Sequence, residues 1–251
     1  MSALAIIGGS GFSAFPGLEA FDRQPIETRY GETSAPLVRG HLNGESVCFL
    51  ARHGAGHRLP PHRVNYRANI QALFDAGCSS VVALGAVGGV HPEYSPGTLC
   101  VPDQIVDYTY GRAHSFFDDE SDGVRHIDFT EPYSPALRQQ LLAAAAAAGI
   151  PLRDGGTYAV SQGPRLETAA EVRRMARDGC DLVGMTAMPE AALARERDLA
   201  YATLAFVVNW GAGLSDEAIT MDAINAQIER CADDIGRLLA AFAGRRAAPV
   251  G

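Results

Sequence analysis

The sequence predicts a single α/β domain, on three observations. Short apolar runs recur at residues 3–7, 47–51, 80–85, 98–101 and 201–208. Helix-type patterns occupy 65–76, 134–148, 167–178, 189–197 and 221–243, and no repeat or long linker divides the chain. Such alternation of strand-like and helical segments argues for sheet and helices packed in layers. A length of 251 residues is above the usual domain mode, yet α/β folds of this size often close on one core. The domain is expected over residues 1–245, with 246–251 as a frayed tail.

Each element has a local reason. The run at 3–7 is closed by Gly8-Gly9-Ser10-Gly11, which reads as a buried strand entering a tight loop. Ser134 followed by Pro135 reads as an N-cap with proline at the first helical position, and Gly149 as the stop of the same helix. The alanine run at 143–148 needs no function beyond high helix propensity. Residues 112–128 are polar and irregular, and the cluster of Asp118, Asp119, Glu120 and Asp122 reads as a solvated surface loop whose spacing does not fit a calcium site.

Composition excludes several classes of function. The chain is 47% hydrophobic and 20% charged, and no stretch reaches the roughly 18 apolar residues a membrane span requires. The start, MSALAIIGGSG, lacks the basic region of an export signal. Five cysteines without C-x-x-C spacing suggest neither a disulfide framework nor a zinc knuckle, so a cytoplasmic location is expected. A formal net charge of -8 without a dense Lys/Arg block argues against nucleic acid as a partner.

Five segments could carry chemistry. The Gly9-Ser10-Gly11 loop offers amides and a hydroxyl to an anion, or is a structural turn. It is not a dinucleotide loop, because Phe15-Pro16-Gly17 breaks the helix that would hold the pyrophosphate. Ala51-Arg52-His53-Gly54 places a cation and an imidazole after an apolar run, and a guanidinium fork suits phosphate; a salt bridge is the bland alternative. His53, His57 and His62 suggest zinc only weakly, since Pro60-Pro61 keeps them off one helix and no cysteine or carboxylate completes a set. Gly184-Met185-Thr186 precedes a helix opened by Pro189-Glu190, Gln162-Gly163-Pro164-Arg165-Leu166-Glu167 leads into another, and Asn209-Trp210-Gly211 follows the last apolar strand.

In this order and spacing, with VNYRAN at 64–69 and GAVGG from Gly85, these segments resemble the trimeric purine nucleoside phosphorylase and methylthioadenosine phosphorylase family over most of the chain. The resemblance implies a central mixed, partly closed β-sheet flanked by helices, and a homotrimer. It implies phosphorolysis, in which phosphate attacks the anomeric carbon of a purine nucleoside and releases the base, with inorganic phosphate as co-substrate and neither metal nor other cofactor. Phosphate contacts are implied at Ser10, Arg52, His53, the Ala86 backbone and Thr186, and the ribose contact at Met185. His57 is implied near the 5′ end of the substrate, and Leu166, Glu167, Asn209 and Gly211 at the base. Two departures stand out: Gly85 where relatives often carry a polar residue, and Leu166 where a phenylalanine commonly packs on the base.

The catalytic expectations fall on Asn209 and Glu167. Relatives that act on 6-oxopurines carry asparagine where adenine-specific ones carry aspartate; its amide can serve O6 and N7 together and stabilise charge on the leaving purine. A carboxylate at Glu167 accepts the N1–H of a 6-oxopurine but meets a lone pair on adenine. At the sugar end Met221 and Ile224 offer an apolar surface suited to a methylthio group rather than a 5′-hydroxyl. Methylthioinosine is therefore the expected substrate. The alternatives are a general inosine/guanosine phosphorylase, a methylthioadenosine phosphorylase, or a nucleoside-binding sensor without turnover.

Overall fold

A computed structural model describes residues 3–119 and 123–247. Glu120 and Asp122 of the acidic cluster, and residues 248–251 of the expected tail, lie outside the described residues. The first part of the chain forms β1 (Ala3–Gly8), β2 (Glu19–Gln24), β3 (Glu27–Thr28), β4 (Gly31–Glu32), β5 (Leu37–Leu42), β6 (Glu45–Ala51) and α1 (Tyr66–Asp75). Next come β7 (Cys78–Gly89), β8 (Leu99–Val101), β9 (Gln104–Asp107), α2 (Pro135–Ala148), β10 (Arg153–Asp154) and β11 (Thr157–Val160). The chain continues through α3 (Ala169–Arg177), β12 (Leu182–Gly184), α4 (Ala187–Glu196), β13 (Ala200–Trp210) and α5 (Met221–Ala247).

The main sheet runs β10-β8-β13-β7-β1-β6-β5-β2. Strand β1 pairs in parallel with β6 and β7, and β7 with β13. A strand enclosed in this way is covered on both faces, so its sequence reads as a continuous apolar run. The end of β7 pairs antiparallel with β12, which passes the ladder through β11 to β9. Only Pro102 and Asp103 separate β9 from β8, so the ladder returns to the segment where it began and the mixed sheet is partly closed.

Alternate residues of β1 serve opposite layers, as the two-residue period of a strand requires. Leu4 and Ile6 pack with Leu141 of α2 and Ile235, Leu239 and Phe242 of α5. Ala5 and Ile7 face Ile70 and Leu73 of α1 and Leu193 of α4. Each such aliphatic side chain contributes roughly 1.5–3 kcal/mol on burial.

Capping fixes the helix starts. Ser134 Oγ accepts from Leu137 N at 3.3 Å, and Gly149 closes α2 at φ 67° in the left-handed region, as the sequence predicts. Helix α3 begins at Ala169, not at 167, because Thr168 and Glu171 form a reciprocal capping box. Glu171 is thus the carboxylate at that helix start, and Glu167 is left outside the helix. The last helix continues to Ala247. Asp118 is half exposed and ion-paired with Arg67.

Candidate active site

The parallel strands β1, β6, β7 and β13 end on one side of the sheet, where open α/β folds build their sites. A cavity of about 350 Å³ lies there, large enough for a nucleoside-sized ligand. Every residue expected at the site lines it except Gly211. The Gly211 amide donates to Gly89 O at 2.7 Å, and its α-carbon faces Val172, so it braces the wall while Ala212 provides the surface.

The wall around Arg52 is built by close backbone approach. A Cβ on Gly9 would lie 2.5 Å from Leu84 O and 3.2 Å from Arg52 Nη1, so only glycine lets the first loop sit over Arg52. Ser10, Ala86 and Thr186 line the same cavity. Thr186 precedes α4 without making a side-chain cap, which leaves its hydroxyl to other uses.

Arg52 differs from the sequence expectation. Its bidentate fork is taken by Glu190: Nε and Nη2 donate to the two carboxylate oxygens at 2.7 and 2.8 Å, and Nη1 donates to Leu84 O at 2.9 Å. Arg52 is 1% and Glu190 0% exposed, and Tyr201 Oη donates to the same carboxylate at 2.9 Å. Three of the five guanidinium N–H groups are therefore spent inside the protein, leaving two for an anion rather than a free fork.

His53 Nδ1 donates to Leu59 O at 2.8 Å, because a carbonyl can only accept, and this leaves Nε2 as an acceptor. Burial, reinforced by the Arg52 charge, pushes the imidazole down to about 3. His57 stacks on it with ring centroids 4.2 Å apart, and burial followed by Arg52 lowers its pKa as well. His57 holds φ at 55°, a conformation uncommon for a side chain of its size. Among the described residues no group of His, Cys, Asp or Glu converges as a metal site.

Asn209, which also lines the cavity, follows a register irregularity in β13 facing Gly88, a device that re-aims a side chain. Its Nδ2 donates to Trp210 O at 2.6 Å, so one amide proton is held and Oδ1 points elsewhere. Glu167 accepts from Ser161 Oγ at 2.5 Å through Oε1. Leu166 and Met221 are 42% and 63% exposed at the rim, Ile224 is 9% exposed within, and Ile219 adds further apolar surface.

Sequence reasoning missed two supports. Glu190 read as a residue opening a helix, and only the fold pairs it with Arg52. Arg112, from the polar segment 112–128, is buried and donates to the carbonyls of Met185, Met188 and Gln162 at 2.8, 2.6 and 2.8 Å. It thereby ties the Gln162 loop to the Met185 loop. An arginine alone in a polar stretch carries no signal that its partners are backbone carbonyls.

The family described as the phosphorylase superfamily matches residues 3–244. A protein of Pseudomonas syringae pv. tomato named "Probable S-methyl-5'-thioinosine phosphorylase" is 54% identical over 97% of this chain and 98% of its own. The 6-oxopurine nucleoside phosphorylase of Pyrococcus furiosus is 44% identical over 96% of this chain and 92% of its own. The solved structure of Schistosoma mansoni methylthioadenosine phosphorylase with adenine superposes with a TM-score of 0.94 at 32% identity, covering 98% of this chain and 92% of that one. With its fold and nearly its whole length in common with these proteins, the chain belongs to the phosphorylase superfamily.

Proposed function

We propose that the protein catalyses phosphorolysis of S-methyl-5′-thioinosine to hypoxanthine and 5-methylthioribose 1-phosphate. The observation that carries this reading is one cavity lined by three chemically distinct sets of residues. In this reading Ser10, Arg52, His53, Ala86 and Thr186 make the phosphate end, Glu167 and Asn209 the base end, and Met221, Ile224 and Ile219 with His57 the 5′ end.

Phosphate at the first end is held by the loop, the Thr186 hydroxyl and the two remaining Arg52 donors. Neutral His53 accepts through Nε2, which suits hydrogen phosphate carrying its own proton. The phosphate oxygen attacks the anomeric carbon as the bond to purine N9 breaks. An oxocarbenium-like transition state is stabilised by the nearby dianion, so the protein's main task is to hold three groups in line.

At the base, the free Glu167 oxygen accepts N1–H, and the Asn209 amide addresses O6 and N7 as negative charge grows on the leaving purine. The methylthio group lies against Met221 and Ile224, where a 5′-hydroxyl would lose water without gaining a partner. Support also comes from the P. syringae relative's name.

The same reading carries a homotrimer, whose neighbouring copy would cover the exposed Leu166 and Met221 at the rim. It also carries a cytoplasmic location, supported by five buried free cysteines. The test is release of hypoxanthine from methylthioinosine with and without phosphate. Strict phosphate dependence with a sugar 1-phosphate product is expected, and release without phosphate would replace the reading with hydrolysis.

A further inference from the structure

Behind the anion end of the cavity lies a buried hydroxyl that the site described above does not use. Gly85 and Gly184 both line the wall, and a Cβ built on them would lie 3.7 Å and 2.2 Å from Tyr158 Oη. The tyrosine hydroxyl therefore fills the space immediately behind two residues without side chains. Tyr158 is fully buried, and its hydroxyl has no hydrogen-bond partner of good geometry. Burial raises its pKa to about 12, against the Arg52 charge and the hydroxyl and amide of Thr186, which lower it.

Leaving such a hydroxyl unpaired is costly, and Thr186 spends nothing on capping α4. Tyr158 Oη is thus left without a partner and the Thr186 hydroxyl without a capping task. A threonine hydroxyl has one proton to give and can accept another.

We propose that Tyr158 is a phosphate-positioning residue that acts through Thr186: its O–H donates to Thr186 Oγ, which turns the Thr186 proton into the cavity toward the anion. The inference rests on reading this end of the cavity as the phosphate end. It also gives the two glycines a purpose. A side chain at Gly184 would displace the tyrosine hydroxyl, whereas Gly85 has room for a Cβ and could carry a substitute hydroxyl.

The experiment compares the native protein with Tyr158→Phe, Thr186→Ala, the double variant, and Tyr158→Phe combined with Gly85→Ser. It reads KM for phosphate, KM for nucleoside, and binding of inorganic phosphate alone. Tyr158→Phe is expected to raise the phosphate KM roughly tenfold, the value of about one hydrogen bond, with nucleoside KM unchanged. The double variant should be no worse than Thr186→Ala, because the two act as one unit. Gly85→Ser should restore much of the phosphate affinity. An unchanged phosphate KM in a folded Tyr158→Phe protein would overturn the proposal, as would equal losses for both substrates or additive losses in the double variant. A native protein that neither binds nor consumes phosphate would overturn the reading of the cavity, and this inference with it.

Discussion

The Arg52–Glu190 pair gives the prediction most directly worked from the structure. Both side chains are buried, the contact is bidentate, and each partner is the other's only neutralising charge among the hydrogen bonds they make. Replacing Arg52 by methionine leaves Glu190 as a buried carboxylate with only Tyr201 to satisfy it. Removing one partner of such a pair costs about 3–5 kcal/mol. For a chain of this size that corresponds to a fall in Tm of roughly 6–20 °C. The double replacement Arg52→Met with Glu190→Leu removes both charges and should recover most of the loss. Thermal and urea unfolding of the two single variants and the double variant provide the cycle. Phosphate KM should stay raised in the double variant, since its stability returns without the two cavity-facing donors. An Arg52→Met protein that melts like the native one, or a double variant as unstable as the singles together, would refute the argument.

Two further outcomes follow from the same geometry. His53 protonates near 6.5 when unfolded but only near 3 when folded, so its contribution to stability is complete above about pH 6.5 and is lost as pH falls toward 3, by about 1.4 kcal/mol per pH unit. Urea unfolding at pH 7 and pH 5 should show a larger acid loss in the native protein than in His53→Asn, which keeps a donor for Leu59 O but does not titrate; parallel losses would contradict this. Asn209→Asp faces Trp210 O at hydrogen-bond distance, so it must take up a proton to keep that contact, and its other oxygen then accepts from a 6-amino group. The ratio of kcat/KM for methylthioinosine over methylthioadenosine should fall about 10- to 100-fold, with Glu167 still opposing adenine. An unchanged ratio in a folded, active variant would remove Asn209 from base recognition.

What was legible in the sequence follows from where the physical constraints are local. Strands β1, β7 and β13 are enclosed by neighbours and carry long apolar runs, and α2 carries its cap, its proline and its terminal glycine within sixteen positions of chain. Strand β2 escaped notice because it is an edge strand with nearly every residue exposed, and β12 because three residues are too few to show a period. At the site, glycine loops, Arg52 and Asn209 were visible because their chemistry sits beside strand ends. Glu190 lies 138 positions from Arg52, and Arg112 is satisfied by carbonyls from two distant loops, so neither partnership leaves a mark in the local sequence. Gly211, which the resemblance implies at the substrate, has its amide taken by Gly89 O, and a Cβ on it would lie 3.0 Å from Val172, partnerships that local sequence does not show.

In the proposed function, Glu167 and Asn209 read a 6-oxopurine while Met221 and Ile224 receive an apolar 5′ group in the same cavity. The most direct test is a comparison of kcat/KM for methylthioinosine, inosine and methylthioadenosine at saturating phosphate. Methylthioinosine should run well ahead of both: over inosine because Met221 and Ile224 bury the methylthio group, and over methylthioadenosine because Glu167 and Asn209 match N1–H and O6. Equal or greater values for inosine would contradict the apolar 5′ end, and equal or greater values for methylthioadenosine would contradict the assignment of the base.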